Sequence, residues 1–245
     1  SHIRRRGEGI RRWGLIAPRI DTLIEAVREA IEIGERAGVS VQISHHKAMG
    51  RINWGKVKQT LRMIEEARLR GVDVTADQYP YTAASSGLSS IFPAWARAGG
   101  IEKLIERLKD PETREKIREE TIENMEGAGA EYGWEDAYIS YVRSEENSKY
   151  VGMSLRQLGE EMGKHPFDAA AELLMAEEGA VSIVYFAMCE EDVETVMRNR
   201  NVMVASDGYA LSPTGILGRG RPHPRSYGTF PRVLGRYVRE RRVIS

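Results

Sequence analysis

Residues that could do chemistry follow three short apolar runs of the sequence. They are His45-His46-Lys47, Asp77-Gln78-Tyr79 and Ser206-Asp207. Imidazole and carboxylate groups are ligands of Zn2+, and a carboxylate beside a metal-activated water can act as a general base. Ionisable side chains are unfavourable in a hydrophobic core. Their positions after apolar runs therefore predict a polar site.

Each of these residues also has a plainer interpretation. A single histidine at a strand end is more often a hydrogen-bonded structural residue, and Asp207 with Gly208 could form a common turn. Only one of His45 and His46 can point into a site, because neighbours on a strand face opposite sides. The prediction of a metal site therefore depends on a histidine and Asp207 lying on different strands of one sheet.

The elements that must position these residues alternate between two hydrophobic periods. Amphipathic helices are predicted at 21–37, 55–70, 190–199 and about 229–242. Strands are predicted at 39–44, 72–79, 181–186 and 201–207. Strand–helix–strand units with short loops are typical of parallel α/β folds, in which the residues that follow the strands meet at one edge.

The middle of the chain differs from this pattern. Residues 100–128 are charged and helical, with a break at Asp110-Pro111, and residues 129–153 are of mixed composition. Charged helices usually lie at the surface. We therefore expect residues 100–180 to form a helical excursion within a single domain that occupies residues 1–245.

Composition restricts the class of protein. The chain has 245 residues, of which 36 are basic and 36 acidic, and no run approaches the about 20 apolar residues of a membrane span. A net charge of zero argues against nucleic acid or an anionic membrane as a partner. Cys189 is the single cysteine, which excludes an intrachain disulfide. We predict a cytoplasmic protein in which Cys189 is a structural thiol.

Four strings of the sequence together resemble N-acyl-D-amino-acid deacylases (D-aminoacylases) of the amidohydrolase superfamily. They are VQISHHKAMGRINWGK, VTADQYPYTAASSGL, VMVASDG and RPHPRSYGTFPRVLGRYVRE, and the opening SHIRR resembles a further segment of that family. The resemblance implies an α/β fold, a TIM-like (β/α)8 metal-dependent hydrolase barrel, of which this chain would hold about strands 5–8. The family's first-strand His-x-His and its metal-bridging cysteine have no counterpart here, so we expect a C-terminal-half fragment.

The resemblance also implies roles for individual residues. His2 and His45 match metal-ligand histidines, and Asp207 matches an aspartate that acts as general base and can contact a second metal. The positions that match a clamp on the substrate carboxylate are Lys47, Tyr79, Ser85 and Arg225. Tyr185 and Met188 match the lining of a pocket for the substrate side chain, where methionine suits a broad apolar pocket.

The implied reaction is zinc-dependent hydrolysis of the amide bond of an N-acyl-D-amino acid, with one or two Zn2+, giving a carboxylate and a D-amino acid. Lysine and arginine suit a small-molecule substrate with a free carboxylate. Two alternatives remain open. One is a cyclic-amide amidohydrolase of the hydantoinase or dihydroorotase kind. The other is an inactive fragment or binding module that lacks the N-terminal metal ligands.

Overall fold

The computed structural model describes residues 22–245, so the predicted ligand His2 lies outside the described residues. The α-helices of this part are α1 (Thr22–Ala37), α2 (Val57–Leu69), α3 (Ala94–Arg97), α4 (Ile101–Lys109), α5 (Pro111–Glu126), α6 (Leu155–Met162), α7 (Pro166–Ala176), α8 (Glu190–Met197) and α9 (Arg225–Arg232). Its strands are β1 (Val41–Ile43), β2 (Val74–Gln78), β3 (Ala83–Gly87), β4 (Ala137–Val142), β5 (Val181–Phe186) and β6 (Val202–Val204).

A parallel sheet of strand order β1-β2-β6 forms the first layer. Ile43 pairs with Ala76, and Gln78 pairs with Val204, in parallel register on both sides of β2. The helices α1 and α2 cover one face of this sheet, where Val74 and Ala76 are fully buried. The parallel strands predicted for 39–44, 72–79 and 201–207 are therefore confirmed.

The other face of the parallel sheet is polar. Successive residues of β2 point to opposite faces, so Thr75 and Asp77 lie opposite the helix-facing Val74 and Ala76. The Thr75 hydroxyl donates to Oε1 of Gln42 at 2.5 Å, and Nε2 of Gln42 donates to Oδ2 of Asp77 at 2.8 Å. A row of hydrogen-bonded side chains therefore leads along this face toward the strand ends.

An antiparallel sheet of strand order β3-β5-β4 forms the second layer. The strand predicted at 181–186 is present as β5, but it does not join the parallel sheet. Tyr185 pairs with Ala84 on one side and with Ala137 on the other. The flanking strand β3 has the sequence AASSG, which lacks the β-branched and aromatic residues that favour strands, so sequence pattern alone does not reveal it.

The helical middle of the chain packs its own core against the antiparallel sheet. The break predicted at Asp110-Pro111 separates α4 from α5. The Asp110 carboxylate accepts the backbone N–H of Thr113 at 2.9 Å, and proline occupies the first turn of α5. Leu104 and Ile117 are fully buried. Residues 100–180 contain α4 to α7 together with the strand β4.

The last helical segment begins earlier than predicted. It starts as α9 at Arg225 and continues as a π-helix over Val233–Glu240. The hydroxyl of the buried Tyr237 donates to Oε1 of Glu190 at 2.8 Å, which ties this segment to the start of α8. Within residues 22–245, no helix is both long and apolar enough to cross a lipid bilayer.

Candidate active site

The carboxyl ends of β1, β2 and β6 meet at one edge of the parallel sheet. His45 lies two residues beyond β1, Tyr79 directly follows β2, and Asp207 lies three residues beyond β6. The pairing continues past the strand, because the backbone N–H of His46 donates to the carbonyl oxygen of Asp77 at 2.7 Å. The topology thus brings the three predicted groups of polar residues to the same edge.

Two predicted metal ligands have a left-handed backbone. His45 has φ 45° and Asp207 has φ 48°, and they are two of the four non-glycine residues with positive φ in the described part of the chain. Such conformations are uncommon outside glycine and concentrate at functional sites. At His45 the backbone N–H donates to Oδ1 of Asp77 at 2.8 Å. Asp77 therefore fixes the main chain from which the His45 imidazole projects.

His46 is buried and bonds to the helix layer through Nε2. Its Nε2 lies 2.9 Å from the hydroxyl of Thr60, and that hydroxyl donates to the carbonyl of Val57. Nε2 must therefore carry the hydrogen. Burial, followed by the positive charges of Lys47 and His45, lowers the pKa of His46 to about 4. His46 is a neutral structural histidine, which supports His45 as the ligand.

Lys47, Tyr79 and Arg225 form a compact group at this edge. Lys47 Nζ lies 5.0 Å from the ring centroid of Tyr79, and the guanidinium carbon of Arg225 lies 4.7 Å from the same centroid. Cations at this distance over an aromatic ring are held by its quadrupole. Arg225 Nη1 is also 2.8 Å from Oδ2 of Asp207. The structure therefore brings three of the four predicted clamp residues together.

The other predicted substrate-binding residues lie on or beside the antiparallel sheet. Met188 lines a small cavity together with His45, Lys47 and Tyr79. Tyr185 is buried in the core, where its ring stacks on Tyr132 with centroids 4.5 Å apart. Ser85 is half-buried on β3, opposite Val184 of β5. Met188 thus lies beside Lys47 and Tyr79, whereas neither Tyr185 nor Ser85 is among the described residues that line this cavity.

Sequence reasoning named Asp77 as a polar residue but missed its supporting role, and it missed His223 altogether. Asp77 lies inside a predicted strand, and only its register with β1 reveals the hydrogen bond to His45. His223 belongs to the RPHPR string, in which only Arg225 was predicted to have a role. The two-residue spacing from His223 to Arg225 is a signal in the sequence. A side chain that accepts a hydrogen bond from the N–H two residues later orders a turn. Burial lowers the pKa of His223 to about 4, so this ring is neutral.

The side chains at this edge suit zinc as ligands, but few such ligands lie within the described residues. His45 and Asp207 offer an imidazole and a carboxylate, both suitable for Zn2+. Across residues 22–245, no group of three or more His, Cys, Asp or Glu residues is arranged to hold a metal ion. Cys189 precedes α8, and burial raises its pKa to about 11, so the thiol stays protonated.

In sequence and in fold, the chain is similar to part of several amidohydrolases, and it spans little more than a third of their length. The chain is 31% identical, over all 245 residues, to the N-acyl-D-glutamate deacylase of Alcaligenes xylosoxydans xylosoxydans, of which it covers 37%. It is 32% identical, over 218 residues, to the D-aminoacylase of the same organism, of which it covers 34%. No model of a known protein family matches the chain.

Solved structures of the same kinds of enzyme also match the chain. The crystal structure of N-acyl-D-glutamate deacylase from Bordetella bronchiseptica, complexed with zinc and a phosphonate inhibitor, matches with a TM-score of 0.63 at 30% identity. The match covers 92% of this chain and 36% of that one. A D-aminoacylase described as defining a novel subset of amidohydrolases matches with a TM-score of 0.60 at 29% identity. The resemblance to N-acyl-D-amino-acid deacylases and the partial α/β barrel are thereby confirmed.

Proposed function

We propose that the whole protein hydrolyses the amide bond of N-acyl-D-amino acids with the help of zinc. The observation that carries this proposal is the placement of Lys47 and Arg225 around Tyr79, at the sheet edge that also presents His45 and Asp207. Two cations beside two potential zinc ligands suit a substrate with a free carboxylate close to the bond that is cleaved. The named deacylase relatives support the same chemistry.

His45 and Asp207 would hold zinc, together with His2 from outside the described residues. Bound zinc supplies a Lewis acid that polarises the amide carbonyl and activates water. The matching structure from Bordetella bronchiseptica contains zinc, and another matching D-aminoacylase structure concerns a binuclear metal centre. We therefore propose one or two Zn2+ at this edge of the sheet.

The other residues would bind the substrate and move protons. Lys47 and Arg225 anchor the substrate carboxylate and so orient the amide, while Tyr79 holds both cations in place. A carboxylate oxygen of Asp207 takes a proton from the attacking water and then delivers it to the departing nitrogen. The products are a carboxylic acid and a free D-amino acid. Ser85 completes the clamp, and Tyr185 and Met188 shape the pocket for the substrate side chain.

The remaining proposals concern the setting of this activity. We propose that the protein acts in the cytoplasm on small molecules, without nucleic acid or membrane as a partner, because the net charge of residues 1–245 is zero and the one cysteine among them forms no disulfide within this segment. We further propose that residues 1–245 form part of one barrel domain, in which residues 100–180 are a helical insertion.

A substrate panel tests the proposed function. The whole protein, purified with zinc, is assayed with N-acetyl-D- and N-acetyl-L-amino acids, hydantoins and dihydroorotate. We expect amino acid release from the D-substrates, loss of activity on chelation and recovery with Zn2+. Hydrolysis of the cyclic amides alone would favour the alternative reaction class. Absence of zinc-dependent release from any N-acyl amino acid would refute the proposal.

Variants test the role of the carboxylate. Asp207→Asn should abolish turnover, because the amide side chain cannot accept the proton from water. Asp73→Asn is the matched control. Asp73 is exposed at the other end of the same sheet, where it accepts the hydroxyl of Ser40 at 2.6 Å. Full activity in Asp207→Asn would exclude the proposed general base.

A further inference from the structure

We infer that His223 is a positioning residue that fixes Arg225 for substrate binding. The ring of His223 joins the backbone N–H of Arg225 to the carbonyl oxygen of Ala83. The role in substrate binding rests on the proposed function, whereas the positioning of Arg225 can be tested without any activity.

The hydrogen bonds of His223 fix one tautomer of its ring. Nε2 lies 2.9 Å from the Ala83 carbonyl oxygen, which can only accept, so Nε2 carries the hydrogen. Nδ1 is then an acceptor, and it receives the backbone N–H of Arg225 at 3.0 Å. A single neutral tautomer satisfies both bonds. His223 is 3% exposed, so water offers little competition for either bond.

These two bonds link the loops that carry the clamp. Ala83 is the first residue of β3 and follows the loop from β2 that contains Tyr79. Arg225 is the first residue of α9 and follows the loop from β6 that contains Asp207. His223 therefore connects an edge of the antiparallel sheet to the polypeptide that leaves the parallel sheet. The position of His223 therefore sets the distance between the backbone segments that carry Tyr79 and Arg225.

Aromatic rings surround the His223 ring and hold its plane. Tyr81 meets it edge-on with centroids 5.1 Å apart, and Tyr79 does so at 6.0 Å. The Arg232 guanidinium lies 4.8 Å from the Tyr81 ring centroid, and its Nε donates to the carbonyl of Pro80 at 2.7 Å. The imidazole is therefore packed by groups that themselves have fixed partners.

The fixed backbone of Arg225 determines where its side chain lies. Its guanidinium contacts both the Tyr79 ring and the Asp207 carboxylate, and the side chain is 8% exposed. A long side chain reaches such a position reproducibly only when its backbone origin is fixed. Without the His223 bond, the first turn of α9 can shift, and small displacements of a substrate-orienting group are costly in catalysis.

Two substitutions separate the two bonds of His223. Glutamine places an N–H near the position of Nε2 and loses the acceptor for Arg225. Asparagine places an oxygen near Nδ1 and can still accept from the N–H two residues later, as in an Asx turn. His223→Gln should therefore displace Arg225, and His223→Asn should largely preserve its position.

A histidine elsewhere in the chain provides a matched control. Nδ1 of His165 accepts the backbone N–H of Phe167 at 3.2 Å, in the same two-residue spacing at the start of α7. His165 lies in the helical middle of the chain, and its ring packs edge-on against Trp134. His165→Gln removes an equivalent local bond without touching the clamp.

The first readout is a pair of crystal structures of the whole protein without substrate. In wild type, Arg225 should contact Asp207, and in His223→Gln that contact should be lost while the fold is retained. An Arg225 side chain that stays on Asp207 in the His223→Gln variant would overturn the inference. This outcome is independent of any enzymatic activity.

The second readout is kinetic. With N-acetyl-D-amino acids, KM of His223→Gln should rise about tenfold with a smaller change in kcat, because substrate binding loses a prepositioned cation. His223→Asn should recover most of the wild-type KM, and His165→Gln should match wild type. Lower thermal stability in both His223 variants with an unchanged KM would mean a merely structural role. A wild-type protein inactive on all N-acyl amino acids refutes the proposed function and leaves the crystallographic test decisive.

Discussion

The Arg225 guanidinium is in contact with the Asp207 carboxylate, with Nη1 and Oδ2 2.8 Å apart. The family resemblance implies different tasks for these residues, binding of the substrate carboxylate for Arg225 and proton transfer for Asp207. The structure joins them, and Tyr79 receives the same guanidinium on its ring. The cation that we propose to bind substrate is therefore also paired with the proposed general base, so a change at Arg225 should affect both binding and chemistry.

Arg225→Lys tests this coupling. Lysine keeps the positive charge but lacks the planar fork that can bond a carboxylate and stack on a ring at once. Loss of one charge-assisted hydrogen bond costs about 1.5–3 kcal/mol, so we expect kcat/KM for N-acetyl-D-amino acids to fall by about tenfold to a hundredfold. The measurement is steady-state kinetics with these substrates and with analogues whose carboxylate is replaced by a carboxamide.

A surface ion pair supplies the control for this substitution. Arg156 Nη2 lies 3.0 Å from Glu135 Oε2, and both side chains are more than half exposed. Exposed pairs contribute about 0–1 kcal/mol to stability, so Arg156→Lys should leave kinetics and stability unchanged. If Arg225→Lys loses the same factor on the carboxylate and carboxamide substrates, Arg225 does not bind the substrate carboxylate.

Asp77→Asn tests the support of the proposed zinc ligand His45. The Asp77 carboxylate accepts the N–H of His45 and the amide of Gln42, and an asparagine side chain has only one oxygen to offer. Loss of such support around a metal site typically costs about 10–100-fold in metal affinity. We expect a decrease of that size, measured by zinc competition with a chromophoric chelator, while exposed Asp73→Asn retains wild-type affinity. Equal zinc affinity in the two variants would exclude Asp77 as a support for the ligand.

The parallel sheet and its polar edge were readable from the sequence because their signals are local. Strands 39–44 and 72–79 are apolar runs between amphipathic helices, and the polar residues directly after them mark the edge. The motif strings then identified the deacylase resemblance, although the chain covers no more than 37% of the matched relatives. Local periodicity and short motifs therefore carried most of the prediction.

The antiparallel sheet and the supporting bonds could not be read in the same way. The strand β3 is held by pairing with β5, which lies about a hundred residues later in the chain, and its own residues favour strands weakly. The bond from His223 to Ala83 likewise joins residues 140 apart in sequence. Such contacts arise from the tertiary arrangement, so no window of sequence reports them.

Glu177→Gln should destabilise the connection between β4 and α7. The buried Glu177 carboxylate accepts the backbone N–H groups of Arg143 and Ser144 at 2.7 and 2.8 Å, the Asn147 amide at 2.6 Å and the Ser144 hydroxyl. Burial raises its pKa, but the hydrogen bonds outweigh burial and hold it below the usual range. Because hydrogen bonds to a charged group contribute about 1.5–3 kcal/mol, we expect a loss of that order in the free energy of unfolding at pH 7.

The adjacent residue is the control for Glu177. Glu178 is exposed and pairs with the Arg143 side chain at 2.8 Å, so Glu178→Gln should change stability by less than about 1 kcal/mol. The contribution of Glu177 is present above the pKa of the unfolded carboxyl and is lost as pH falls through the lower folded value. Urea denaturation at pH 7 and pH 3 should therefore show the Glu177→Gln deficit shrinking in acid. A deficit that is the same at both pH values would contradict the role of the charge.

Two buried histidines should make the folded state sensitive to acid. Burial is the largest cause that lowers the pKa of both His46 and His223 to about 4, from 6.5 in an exposed histidine. Below pH 6.5 the unfolded chain takes up protons at these positions and the folded chain does not, until about pH 4. The free energy of unfolding should therefore fall across this window by up to about 1.4 kcal/mol per pH unit for each histidine, and these groups should contribute no slope above it.

Replacing one of these histidines isolates its contribution from that of the carboxylates. His46→Leu removes the titrating group and also the bond to Thr60, so the variant should be less stable than wild type at pH 7.5. Because leucine takes up no proton in either state, the difference between variant and wild type should narrow as the pH falls from 6.5 to 4.5. The measurement is urea denaturation at half-unit pH intervals. Parallel stability curves for the two proteins would show that His46 does not remain neutral in the folded state across this range.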